Sequence, residues 1–190
     1  THLLGVSHLK SKSVDPIFPN LFRFNYEMDV DVELARTIHD MGRESGLVMK
    51  MMENPDFRVD YGTIVSSHMV NPKWDKPIVS VSSCRAASYY SVEVMQEQSL
   101  ILGEATRRAV EACGRRAVVL ASNSLSHRHF TTEGDVPEDM SQEHVYNHHQ
   151  YLWDMRIIEL LKSGKTQQVI DELPEFIEHA VAEADGGSLS

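Results

Sequence analysis

A chain of 190 residues with 28 acidic against 18 lysine and arginine side chains carries a formal charge of −10 at pH 7. Nucleic acid and anionic membrane surfaces repel such a chain, and the basic pairs Arg107–Arg108 and Arg115–Arg116 are too small to reverse that. The length suits one domain, residues 1–190, hiding roughly 70% of its unfolded surface; Cys84 and Cys113 are too few for a disulfide framework and fit a reducing cytoplasm, and no apolar run reaches the ~20 residues that span a bilayer.

Thr1 is followed at once by the apolar run Leu3 to Val6, so the chain is predicted to begin inside a strand, as a piece of a longer protein would. Phe22, Phe24, Tyr26 and Met28 alternate with Arg23, Asn25 and Glu27, the period of two of a strand with one buried face. From Asp31 the period lengthens. Asp31 suits a helix N-cap, Leu34, Ile38 and Met41 make an apolar stripe, and Gly46 suits the stop. Leu47 to Met51 reads as a second strand. Beyond the breaker Asn54-Pro55, the run Arg58 to Val70 is ambiguous, but the spacing of Ile64, Val65, His68 and Met69 favours a helix that Pro72 stops.

Pro77 to Ser82 is predicted as a short strand, Val92 to Cys113 as a long helix, and Arg116 to Ala121 as a strand opened by Gly114. After the acidic, proline-containing loop Thr131 to Met140 comes a helical region with Tyr151, Trp153, Ile157 and Leu161, closed by Gly164, then a last helix over roughly Pro174 to Ala184. Strand and helix alternate. That pattern predicts a single-domain, layered α/β sandwich with a largely parallel or mixed central sheet, Phe22 to Met28 being a candidate antiparallel edge.

The strand Arg116 to Ala121 runs into a polar turn that presents His127. In α/β proteins ligands collect beyond the carboxyl ends of strands, so an ionisable imidazole there is a candidate site residue, while a loop histidine that only caps a turn is the alternative. His144 and His148 have i, i+4 spacing with His149 adjacent, a weak metal signal because the glutamate of a zincin motif is missing and a solvated helix face explains it. Glu183 falls three residues after Ala180 and seven after Phe176, on the apolar stripe of the last helix, where a carboxylate calls for a partner or a metal unless the helix end exposes it. Tyr61 precedes Gly62, which permits a close backbone approach; it is either a substrate-positioning hydroxyl or an ordinary wall residue. Ser124 and Ser126 lack a surrounding GxSxG, and neither GxxxxGK[ST] nor GxGxxG occurs.

Five stretches together carry a resemblance: KSVDPIFPNLFRFNYEMDVDVELA, FRVDYGTI, LASNSLSHRHF, PEDMSQEH and WDMRIIELLKSGKT. They resemble the LigB-type, or class III, extradiol ring-cleavage dioxygenases over nearly the whole chain. The resemblance implies an α/β fold and a non-haem Fe(II) site of two histidines and one glutamate, with open positions for a small aromatic substrate and O2. By position it makes His127 an acid/base beside the substrate, Glu183 the carboxylate ligand, and Tyr61 and His129 residues of the substrate pocket. The family's two histidine ligands come from PHPPH-like and PHW-like segments that His2 and His8 do not match; they are expected upstream of Thr1, with a further segment expected beyond the last residue.

The implied reaction opens 2-aminophenol, or a substituted 2-aminophenol, with O2 next to its heteroatom-bearing carbons, giving a 2-aminomuconate semialdehyde. His127 would take a substrate proton and return one later. A catechol such as protocatechuate is the alternative substrate, and a non-catalytic homologous subunit or binding protein of the same fold is the alternative of another class. The implied partner is a homologous, non-catalytic α subunit in a hetero-oligomer.

Overall fold

The computed structural model of the protein describes residues 1–12, 25–57, 59–82, 91–122, 125–126 and 148–180. The chain divides into two compact units, residues 1–84 with 100–122, and residues 85–99 with 123–190. From β3 onward strands and helices alternate along the first unit, and its three-stranded sheet is mixed, so the chain has the α/β fold expected of it.

In the first unit β1 (His2–Leu4) is the middle strand of three, parallel to β4 (Lys50–Met52) and antiparallel to β5 (Val81–Ser82). A second sheet pairs β2 (His8–Lys12) antiparallel with β3 (Asn25–Asp29). Tyr26 and Met28 of β3 point into the core and Glu27 and Asp29 to solvent, the alternation read from the sequence. The expected antiparallel edge therefore exists, but in a hairpin of its own.

Helix α1 (Val32–Glu44) forms where its cap, stripe and stop coincide. The Asp31 carboxylate accepts the Leu34 N–H at 3.0 Å, and Gly46, at φ 94°, closes the end in the left-handed region that a side chain would strain. Leu34, Ala35 and Ile38 pack on Leu3, Leu47, Met49 and Ala109, which seats α1 and the second half of α3 (Val92–Ala112) in one apolar cluster. Helix α2 (Tyr61–Val70) settles the ambiguous run, with Asp60 as its N-cap. Ile64 is buried while Val65 and Met69 are exposed, so only part of the expected stripe faces inward.

Arg115 joins this cap from far along the chain, its Nε 2.8 Å from Asp31 Oδ2 and its Nη2 2.8 Å from Glu33 Oε2. The hydrogen bond from Arg115, helped by the Leu34 N–H, holds the Asp31 carboxyl below its ordinary value despite partial burial. A depressed carboxyl stabilises the fold above its unfolded-state pKa and loses that contribution as pH falls through the folded value. Asp31→Asn keeps a capping oxygen but not the ion pair. It should cost under ~1 kcal/mol near neutral pH, and urea titrations should show a shallower loss of stability than the parent from about pH 4 downward.

Three predicted strands are corrected. The strand expected at Leu47 to Met51 is Lys50–Met52, because its limits are set by its neighbour β1. Of Pro77 to Ser82 only Val81–Ser82 pairs as a strand, with Ile78 making a single parallel bridge to Val30. Arg116 to Ala121 forms no strand: it has a strand's composition but no ladder partner among the described residues, and Val118 and Val119 are 84% and 82% exposed.

The second unit is built on α4 (His148–Lys162) and α5 (Thr166–Ala180), linked through Gly164 at φ 67°. Ile157 and Leu160 of α4 meet Val169, Leu173, Phe176 and Ala180 of α5, and Arg156 forks onto Glu172 at 2.9 and 2.7 Å. Tyr151 and Leu161, in the helical region read from the sequence, face outward. The last helix starts at Thr166, eight residues before the predicted Pro174, which lies inside it. A proline there removes one helical hydrogen bond, and the four apolar residues of α5 that are fully buried on α4 offset the loss. Phe176 is 0% exposed at the centre of that contact, so Phe176→Ala should cost about 3–5 kcal/mol in urea denaturation.

Candidate functional site

The path to His127 begins in the first unit. The segment 115–122 passes α2, where the Ser122 hydroxyl donates to the Gly62 carbonyl at 3.2 Å. A Cβ on Gly62 would stand 3.2 Å from that hydroxyl oxygen and 3.0 Å from Asp60 Oδ1, so the glycine does permit the close approach expected of it. Tyr61 is the first residue of α2 and hence next to this contact; of its pocket role only this backbone position is described.

Five residues after Ser122 in sequence stands His127, and its neighbour Ser126 belongs to the second unit. Ser126 is 1% exposed, its N–H donating to Asp154 Oδ1 at 3.0 Å and its hydroxyl to Asp154 Oδ2 at 2.7 Å. Both donors of one residue thus end on one carboxylate of α4. At that exposure the hydroxyl is not open to a substrate, and no GxSxG surrounds it.

One α-helical turn before Asp154, buried Gln150 donates from Nε2 to the Ala180 carbonyl at 3.0 Å, tying the start of α4 to the end of α5. Ala180 stands three residues before Glu183. His127, His129, His144 and Glu183 themselves lie outside the described residues. Helix α4 therefore holds the residue before the candidate acid/base and, four residues away, the residue that closes the helix leading to the candidate ligand.

The remaining histidines serve other ends. His8 Nδ1 lies 2.7 Å from Asp29 Oδ1 and Nε2 3.2 Å from Glu27 Oε1 across the β2–β3 hairpin. The Asp29 hydrogen bond, with the Glu27 and Asp29 charges beside the ring, raises its pKa. His148 and His149 are exposed, the first stacked on Tyr151, which fits a solvated helix face. Among the described residues no group of three or more histidine, cysteine, aspartate or glutamate side chains is placed to hold a metal. Those residues by themselves do not form an iron site. Among them, too, no helix is long and apolar enough to cross a membrane.

Asp154 and Gln150 are absent from a reading by apolar spacing alone, because that reading passes over polar residues in α4. The available signal was position: Gln150, Asp154 and buried Ile157 are spaced by four and three residues, so two polar side chains share the inward face of an amphipathic helix. A polar residue there needs a partner.

Residues 5–189 match the family described as the catalytic LigB subunit of aromatic ring-opening dioxygenase. The chain belongs to this LigB family. Within it the chain is 51% identical over 189 residues to a 2-aminophenol 1,6-dioxygenase beta subunit from Pseudomonas sp, an alignment covering 100% of this chain and 62% of the relative. A 3,4-dihydroxyphenylacetate 2,3-dioxygenase from Escherichia coli is 25% identical over 185 residues, 97% of this chain and 64% of its own. A 2-aminophenol 1,6-dioxygenase alpha subunit from Pseudomonas sp is 26% identical over 159 residues, 83% of this chain and 55% of its own. The chain thus spans less than two thirds of the length of these LigB relatives.

Proposed function

We propose that the full-length protein is an extradiol dioxygenase that opens the ring of 2-aminophenol, or a substituted 2-aminophenol, with O2 to give a 2-aminomuconate semialdehyde, and that residues 1–190 are part of one catalytic domain. The observation that carries this reading is the 51% identity, sustained over the whole chain, to a protein named for that reaction. The sequence Ser124 to His127 supports catalysis, since a homologous subunit or binding protein without activity has no evident need of an imidazole there. Pairing with a homologous α subunit fits the alpha and beta names of the two Pseudomonas relatives, and the scarcity of cysteine fits the cytoplasm.

Fe(II) is the cofactor the family resemblance implies, supplying a site on which substrate and O2 meet, with Glu183 as the carboxylate ligand and two histidines from outside this chain. His127 moves protons: it takes one from the bound ring substituent and returns one as the ring opens. Tyr61 and His129 line the pocket. A catechol, protocatechuate for example, is the second reading, favoured by the similarity to an enzyme named for a dihydroxyphenyl substrate.

Anaerobic loading of the full-length protein with Fe(II), followed by oxygen uptake with 2-aminophenol and with protocatechuate, tests this. Faster uptake with 2-aminophenol is expected. Preference for the catechol replaces the first reading by the second, and no uptake with either leaves the non-catalytic homologue.

A further inference from the structure

We propose that Asp154 is a positioning residue for His127, acting through the two hydrogen bonds it receives from Ser126. The inference rests on the acid/base reading of His127 and adds to it the group that anchors the residue before it.

The geometry constrains Ser126 twice. Its N–H, 3.0 Å from Asp154 Oδ1, fixes the backbone, and its hydroxyl, 2.7 Å from Oδ2, fixes the side-chain rotation about the same Cα. With Ser126 1% exposed, water cannot take over either bond, and a buried donor that lost its acceptor would cost about 1–3 kcal/mol. The alternatives to this one conformation are therefore poor. His127 is joined to Ser126 by a single peptide unit, whose Cα–Cα span is fixed at about 3.8 Å. Holding Ser126 gives the chain that enters His127 a fixed point of departure.

The anchor is itself rigid. Asp154 lies within α4, between Trp153, which packs against the apolar cluster, and the fully buried Ile157. A carboxylate on a packed helix is a better reference point than one on a loop, since catalytic groups must be held within about 0.5 Å of their working geometry.

A double-mutant cycle in the full-length, iron-loaded protein separates positioning from mere fold support. Asp154→Ala should lower kcat by about 10–100-fold, the range that a displacement near 1 Å produces, with KM and iron content changed less than ~3-fold. In a His127→Ala background the same substitution should cost less than ~3-fold more, because nothing is left to position. Ser126→Ala, which keeps the backbone bond, should give an intermediate loss, and Asp154→Asn, which keeps one acceptor, should recover part of kcat. If Asp154→Ala does not fold, Ser126→Ala carries the same cycle. Equal losses in both backgrounds, or an unchanged kcat in Asp154→Ala beside an impaired His127→Ala, overturn the proposal and leave the acid/base reading intact. Full turnover in His127→Ala removes that reading and the proposal with it.

Discussion

His127→Ala in the full-length protein is expected to lose turnover by about 10²–10⁴-fold while keeping its iron, the span by which a positioned general acid/base accelerates a reaction. Two protons are at stake, one leaving the substrate and one returned to the product, and an imidazole can do both because it titrates near neutral pH. The loss should fall on kcat with KM nearly unchanged, since an acid/base acts more strongly on the transition state than on the bound substrate. Steady-state kinetics with 2-aminophenol, at saturating oxygen and with iron measured in each preparation, distinguishes the outcomes. Iron lost together with activity would make His127 a ligand instead. Turnover within ~3-fold of the parent would show the turn histidine to be only a cap, the alternative that its position alone leaves open.

How much of this was legible in the sequence depended on how far each signal reached along the chain. Helix α1 was readable because its cap Asp31, its stripe Leu34 and Ile38, and its stop Gly46 lie within one local segment. The alternation ending at Met28 likewise needs no knowledge of a partner to give a strand. Strand limits elsewhere did need it. Lys50–Met52 is a strand because His2–Leu4 runs beside it, and Ala117 to Leu120, for all its β-branched residues, has no such neighbour among the described residues.

Pro174 misled for a related reason: a helix start is its commonest place in a helix, and only the packing of Val169, Leu173 and Phe176 on α4 reveals that the helix began earlier. In the candidate site the chain order pointed to His127, but the Asp154 carboxylate that receives Ser126 lies 28 residues away and no short motif announces it. Side chains that touch a substrate belong to recognisable local patterns. Those that hold them in place are defined by contacts distant in sequence.

Glu183→Ala offers the converse of the His127 result: iron affinity should fall by more than ~100-fold, beyond the 10–100-fold typical of a partner outside the ligand set, and activity should go only because the metal goes. The residue three places before it, Ala180, is buried and its carbonyl receives Gln150 Nε2 at 3.0 Å, so the chain leading to Glu183 starts from a fixed point. By sequence spacing Glu183 falls on the stripe of Phe176 and Ala180, and an unpaired carboxylate among apolar neighbours costs several kcal/mol unless a cation meets it. The metal would answer that need, so removing it should leave Glu183 uncompensated. The full-length protein should therefore gain thermal stability on loading with Fe(II) under anaerobic conditions, and Glu183→Ala should abolish most of that gain. Iron analysis after dialysis against a chelator and a thermal melt with and without Fe(II) read the two effects separately. Full iron occupancy in Glu183→Ala would return Glu183 to the exposed end of a helix, and a stability gain from Fe(II) that survives the substitution would place the metal on other residues.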